Sequence, residues 1–141
     1  MFAQIAAMTP DDVAPRLSRA DALLAGGDLA GAHEEYQRIL ATHPDHPGAQ
    51  TNDGLTLLRL GRVPEALPLL RAVAERQPGN AAAYMNLASA SAAVGRITDA
   101  VNAACHAIAV DPQNPAPQQF LADLQHAAAA AHVSLPGCRR R

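Results

Sequence analysis

Between Pro78 and Pro112 the chain reads PGNAAAYMNLASASAAVGRITDAVNAACHAIAVDP. Two alanine-rich runs of helical spacing meet at Gly95, and a proline turn closes each side. Working outward, the same marks recur. Pro44, Pro78 and Pro112 stand 34 residues apart, and Pro10 stands 34 before Pro44. Gly27, Gly61 and Gly95 keep that step, as do Ala32, Ala66 and Ala100. A fixed period of this size marks stacked helix pairs, none of which hides its apolar side without a neighbour.

The length of 141 residues suits one domain. Half the residues are apolar, yet aromatics are 3% and Trp is absent, so the core must come mostly from Ala and Leu. A net charge of -2 and a pI near 6.3 argue against a general nucleic-acid binder. Cys105 and Cys138 are too few and too far apart for a disulfide framework, which favours a reducing, cytoplasmic setting. Cys105 is expected to be a small packing residue. No apolar run approaches the ~20 residues that span a bilayer. Met1–Met8 is apolar but carries no basic residue, so a secretory signal is not expected.

The spacing predicts seven helices. Asp11 or Asp12 caps the first, which runs to about Ala25. The others cover Leu29–Thr42, Pro47 to Leu60, Pro64 to Gln77, Ala81–Val94, Thr98–Val110 and Pro115 to His132. Gly27, Gly61 and Gly95 end first helices in the left-handed conformation. Asn80 and Asn114 are caps. Pro68 should loosen the first turn of its helix without breaking it. Residues 1–10 form a segment expected to be partly ordered, with Phe2, Ile5 and Met8 at helical spacing. Residues 133–141 are expected to be a disordered tail.

The pattern resembles the tetratricopeptide repeat (TPR) family. Small residues fill the helix-crossing columns, Ala20, Gly54, Ala88 and Ala122 in first helices and Ala32, Ala66 and Ala100 in second helices. A larger side chain there would wedge the helices apart. Ala83-Tyr84-Met85-Asn86-Leu87-Ala88 matches the family best. Arg16 and Gln50 replace the large aromatic of the first helix, and Arg19 and Asp53 occupy a leucine column. The second-helix aromatic survives only as Tyr36, followed by Leu70 and Ala104. The resemblance covers about residues 11–132. It implies an all-α, right-handed superhelical solenoid of three repeats, about 13–46, 47–80 and 81–114, with a capping helix 115–132.

The resemblance also implies that first helices line an inner groove binding a partner's peptide. By helical spacing that surface includes Leu17, Ser18, Asp21, Thr51, Asn52, Leu55, Arg59, Met85, Asn86, Ser89, Gln119, Phe120 and Asp123. Asn52 and Asn86 hold one position a repeat apart, and a carboxamide both donates to and accepts from a peptide backbone. This two-rung ladder resembles the TPR arm of O-linked N-acetylglucosamine transferases, which leaves the arm of a larger glycosyltransferase as an alternative. The basic clamp of chaperone-type TPR domains is mostly missing, since Leu17, Asp21, Ala82 and Asn86 stand where its partners would sit and only Asn52 matches, so no carboxylate clamp is expected. Arg59 reads either as a cation for one ligand carboxylate or as a solvated end-of-helix cation. Self-assembly through the last helix is a third reading.

No catalysis, cofactor or metal is expected. There is no glycine-rich phosphate loop, and His43 and His46 read as turn histidines more than metal ligands. Cys105 and His106 are adjacent on a helix and point about 100° apart, which disfavours a thiol–imidazole pair. Glu34–Arg38 and Arg71–Glu75 are expected as outer-face ion pairs. The partner is expected to be another protein or peptide, with no nucleic acid and no membrane.

Overall fold

The computed structural model describes residues 13–138. The expectations for residues 1–10, for the Asp11 or Asp12 cap and for Arg139–Arg141 lie outside the described residues. Within them there are seven α-helices and no strand: α1 Val13–Ala25, α2 Leu29–Thr42, α3 Pro47–Arg59, α4 Val63–Arg76, α5 Ala81–Ala93, α6 Ile97–Val110 and α7 Pro115–Ala130. Each begins and ends within about two residues of its expected limits, the usual uncertainty of helix ends.

Side-chain caps set the starts. Asp28 Oδ1 accepts from the Gly31 N–H at 3.0 Å, Asn80 Oδ1 from Ala83 at 3.1 Å and Asn114 Oδ1 from Ala116 at 3.0 Å. α3 is capped by His46, whose Nδ1 accepts from the Ala49 N–H at 3.1 Å. That contact gives the turn histidine a structural task. Pro68 sits inside a continuous α4.

The stops share one geometry. Gly27, Gly61 and Gly95 have φ of 86°, 76° and 78°, where a side chain would be strained. The N–H after each glycine returns to a carbonyl five residues back: Asp28 to Leu23, Arg62 to Leu57 and Arg96 to Ser91. α7 closes the same way, with His132 at φ 60° and the Val133 N–H on the Ala128 carbonyl at 2.7 Å.

The chain divides into two compact units, with the boundary inside α4 after Leu69. In the first, α1, α2 and α3 pack around Ala20, Ala32, Tyr36, Ile39 and Ala49, flanked by Val13, Leu17, Leu23, Leu24 and Leu40. Leu17, expected at the inner surface, thus belongs to packing. In the second, α5 packs on α6 and α6 on α7. Its core joins Val73, Ala74 and Ala83 with Tyr84 and Leu87, then Ala88, Ala103 and Ala104 with Tyr84, Leu87 and Phe120. Fully burying a side chain the size of Ile39 or Leu70 contributes roughly 1.5–3 kcal/mol, while the alanines mainly permit close approach. Ala20, Ala32, Gly54, Ala66, Ala88 and Ala100 are all buried, and Ala122 on the last helix is exposed.

Three observations correct the sequence reading. Cys105 is a disulfide partner of Cys138 and not a free packing residue. Residues 133–138 are therefore tethered to α6 and not a loose tail. Arg38 pairs with Glu34 at 2.8 Å as expected, but Arg71 and Glu75 make no ion pair among the described residues. Instead both face a crevice with Tyr84.

Candidate functional site

In the first unit, α1 carries Ser18 and Asp21, and α3 carries Thr51, Asn52, Leu55 and Arg59. Ser18 and Arg59 are exposed, and Asp21, Thr51, Asn52 and Leu55 are half-buried. The Asn52 Nδ2 donates to Asp21 Oδ1 at 2.9 Å, and the Tyr36 hydroxyl donates to the same oxygen at 2.5 Å. Asn52 is thus partly engaged inside the protein. Tyr36 is fully buried. Burial raises its phenol above the ordinary range, and the hydrogen bond and charge of Asp21 raise it further.

A second polar cluster lies beside it. Asp53 is fully buried, and its two oxygens accept from His33 Nδ1 at 2.6 Å and Gln37 Nε2 at 2.7 Å. Gln50, where the family carries an aromatic, turns its Nε2 to the Pro44 carbonyl at 2.9 Å. Arg16 meets the buried Glu35 at 3.5 Å. Gln50 and Asp53 are therefore satisfied by polar contacts, as buried polar groups require, while Glu35 Oε2 beside Arg16 is buried without a hydrogen bond among the described residues. Sequence reasoning missed this network. The available signal was a carboxylate in a leucine column opposite His33 and Gln37, which share one side of α2 at a spacing of four.

In the second unit, α5 carries Met85, Asn86 and Ser89, and α7 carries Gln119, Phe120 and Asp123. Met85 and Asn86 are half-buried and Ser89 is exposed. Asn86 makes no side-chain hydrogen bond among the described residues. Gln119 donates to Asp123 at 2.8 Å. Phe120 is drawn into the core against Ala88, Ala103 and Ala104.

The same unit holds a crevice of about 260 Å³ lined by Arg71, Glu75, Tyr84, Ser91, Asp99, Asn102 and His106, among others. Tyr84 and His106 stack with ring centroids 3.8 Å apart. His106 Nε2 lies 3.0 Å from the Pro78 carbonyl, which only accepts, so this nitrogen carries the proton. Among the described residues Ser91 Oγ is buried without a hydrogen-bond partner. Among the described residues no cluster of three His, Cys, Asp or Glu is placed to hold a metal.

The helix pairs, their glycine stops and the alanine crossings match one family. The tetratricopeptide repeat profile fits residues 1–47 and 51–116. The chain belongs to the tetratricopeptide repeat family. Its fold is the all-α helical repeat of that family, whose modules serve protein–protein interaction. Among solved structures it is similar to MamA from Desulfovibrio magneticus RS-1, residues 41 to the end, with 28% identity over 88% of this chain and 71% of that one, at a TM-score of 0.77. It is also similar in fold to the first TPR of Spaghetti (RPAP3) bound to the HSP90 peptide SRMEEVD, with 16% identity over 86% of this chain and 97% of that one, at a TM-score of 0.78. The first TPR domain of human RPAP3 gives 17% identity, 88% and 98% coverage and a TM-score of 0.77. No curated protein matches the chain. No helix among the described residues is long and apolar enough to cross a membrane.

Proposed function

We propose that this chain is a non-catalytic interaction module that takes an extended peptide segment of a partner protein on the exposed sides of its first helices. The observation that carries the reading is Asn86. Its carboxamide is half-buried and has no hydrogen-bond partner among the described residues, between Met85 and Ser89 on α5. A side-chain amide in that state has a donor and an acceptor ready for a peptide backbone, whatever the peptide's side chains. In the first unit, Asn52 donates to Asp21 and also hydrogen-bonds Tyr36, so it offers a ligand less than Asn86 does, beside Thr51, Leu55 and Arg59. The RPAP3 domain, a neighbour in fold, is itself bound to a peptide.

Charge shapes the class of peptide. In the first unit Asp21 accompanies Arg59, and in the second Asp123 is the charged residue of the set, so neither surface favours an acidic C-terminal tail. A neutral or weakly basic extended segment fits better. A cytoplasmic setting agrees with the composition, but a disulfide persists there only as a transient bond, so the Cys105–Cys138 link makes compartment and redox state one question.

Affinity capture with the wild-type chain and with Asn86→Ala as paired baits tests the reading. A partner retained by the first and depleted on the second supports it. Identical captures by both baits contradict it.

A further inference from the structure

Cys105 on α6 and Cys138 are 33 positions apart in sequence and 5.2 Å apart at Cα, joined by a disulfide. Little else holds the segment that carries Cys138. Past the Val133 N–H, Ser134–Cys138 make no hydrogen bond to any described residue. Leu135 is half-buried, while Val133, Pro136, Gly137 and Cys138 are exposed. The helix leading into this strap is lightly anchored too. Pro117 is the buried residue of α7, and Phe120, Leu121, Leu124 and Ala128 are half-buried.

The repeat register shows what the strap replaces. Second helices begin at Leu29, Val63 and Ile97, and the next step of 34 falls on Ala131. There the chain turns at His132 and runs on without secondary structure. Among the described residues the fourth pair thus has its first helix and no second. In place of that helix the strap bridges α6 and leaves a crevice of about 610 Å³ between Thr98, Asn102, His106 and Ala109 on α6 and Pro136 and Gly137 on the strap.

We propose that the Cys105–Cys138 bond is a redox latch. Oxidised, it pins the strap and the end of α7 to α6. Reduced, it frees the strap and opens this face of α6. Cys138 is exposed and Cys105 half-buried, so the attack falls on Cys138. A thiolate of a dithiol reductant bonds to Cys138 Sγ, and the Cys105–Cys138 bond breaks. Its electron pair leaves on Cys105 Sγ, which takes a proton. The second thiol of the reductant then displaces Cys138 as a thiol, and the reductant departs as its own disulfide. The effect stays local. The cores around Ala20 and Tyr36, and around Ala88 and Ala103, contain neither cysteine.

Hydrogen exchange on the full chain, with and without dithiothreitol, tests the latch alongside a count of alkylatable thiols. The chain purified without reductant should show no free thiol and the reduced chain two. Reduction should speed exchange of the amides in the last turns of α7 by about tenfold and leave those of α1–α3 within about twofold. The Cys105→Ser/Cys138→Ser variant should show the fast pattern without reductant. Should that variant not fold, the comparison of wild-type chain in its two redox states decides alone. Two free thiols before reduction, unchanged α7 exchange, or equal acceleration in α1–α3 overturns the proposal.

Discussion

The Asn52 carboxamide of α3 donates to Asp21 Oδ1 of α1 at 2.9 Å, across 31 positions of sequence. Tyr36 of α2 donates to the same oxygen. One carboxylate oxygen therefore ties the three helices of the first unit together at the surface expected to meet a ligand. Any change that strips Asp21 of these donors alters both the packing and the binding surface.

Tyr36 makes the first unit sensitive to alkali. Burial, then the hydrogen bond and charge of Asp21, hold its phenol above the ordinary value of 10.0. The unfolded chain releases this proton near that ordinary value, while the folded chain keeps it. Its contribution to stability is therefore whole below pH 10.0 and is lost as the pH climbs beyond it. All eleven Lys and Arg residues are arginines, so no lysine titration masks the effect. The melting temperature should fall between about pH 9.5 and 11. Tyr36→Phe should flatten that slope and cost about 1 kcal/mol at neutral pH. An alkaline slope unchanged in the variant contradicts the assignment.

Asp53 should be among the costlier positions to truncate. It is fully buried, and its oxygens hold His33 and Gln37. Asp53→Ala leaves both donors short of an acceptor and should lose about 2–4 kcal/mol. Asp53→Leu restores the family's residue type but strands the same donors, so it should also destabilise. A denaturant cycle with His33→Ala should give a coupling of about 1 kcal/mol or more. Additive losses sink the network.

Left-handed helix stops give opposite predictions at two sites. Gly61 has φ 76°, and Gly61→Ala should cost about 1 kcal/mol. His132 has φ 60° in the same motif, so His132→Gly should gain up to about 1 kcal/mol at the end of α7. Thermal melts of the two variants moving in the same direction contradict the shared geometry.

The fold was readable because its rules are local and repeated. Gly27, Gly61 and Gly95 end helices for a backbone reason, and Ala32, Ala66 and Ala100 permit crossings for a volume reason. Asn80 and Asn114 cap through their own side chains. What escaped the sequence is long-range pairing. No spacing rule joins Asp53 to His33, and no rule told Cys105 that Cys138 returns to it, because the turn at His132 uses a residue that does not announce the left-handed conformation. The candidate site was half legible. Helical spacing indicated which face carries Asn52 and Asn86, while the commitment of Asn52 to Asp21 and of Phe120 to the core needed coordinates.

Titration calorimetry with a peptide selected from a random display library on the wild-type chain tests the central claim most directly, applied to wild type, Asn86→Ala and Asn52→Ala. The account predicts a loss of about five- to tenfold in affinity for Asn86→Ala at an unchanged melting temperature, because Asn86 has no hydrogen-bond partner among the described residues. Asn52→Ala should lose affinity and also melt lower, because its bond to Asp21 goes with it. A selected peptide that binds all three chains equally contradicts a backbone-reading role for these asparagines.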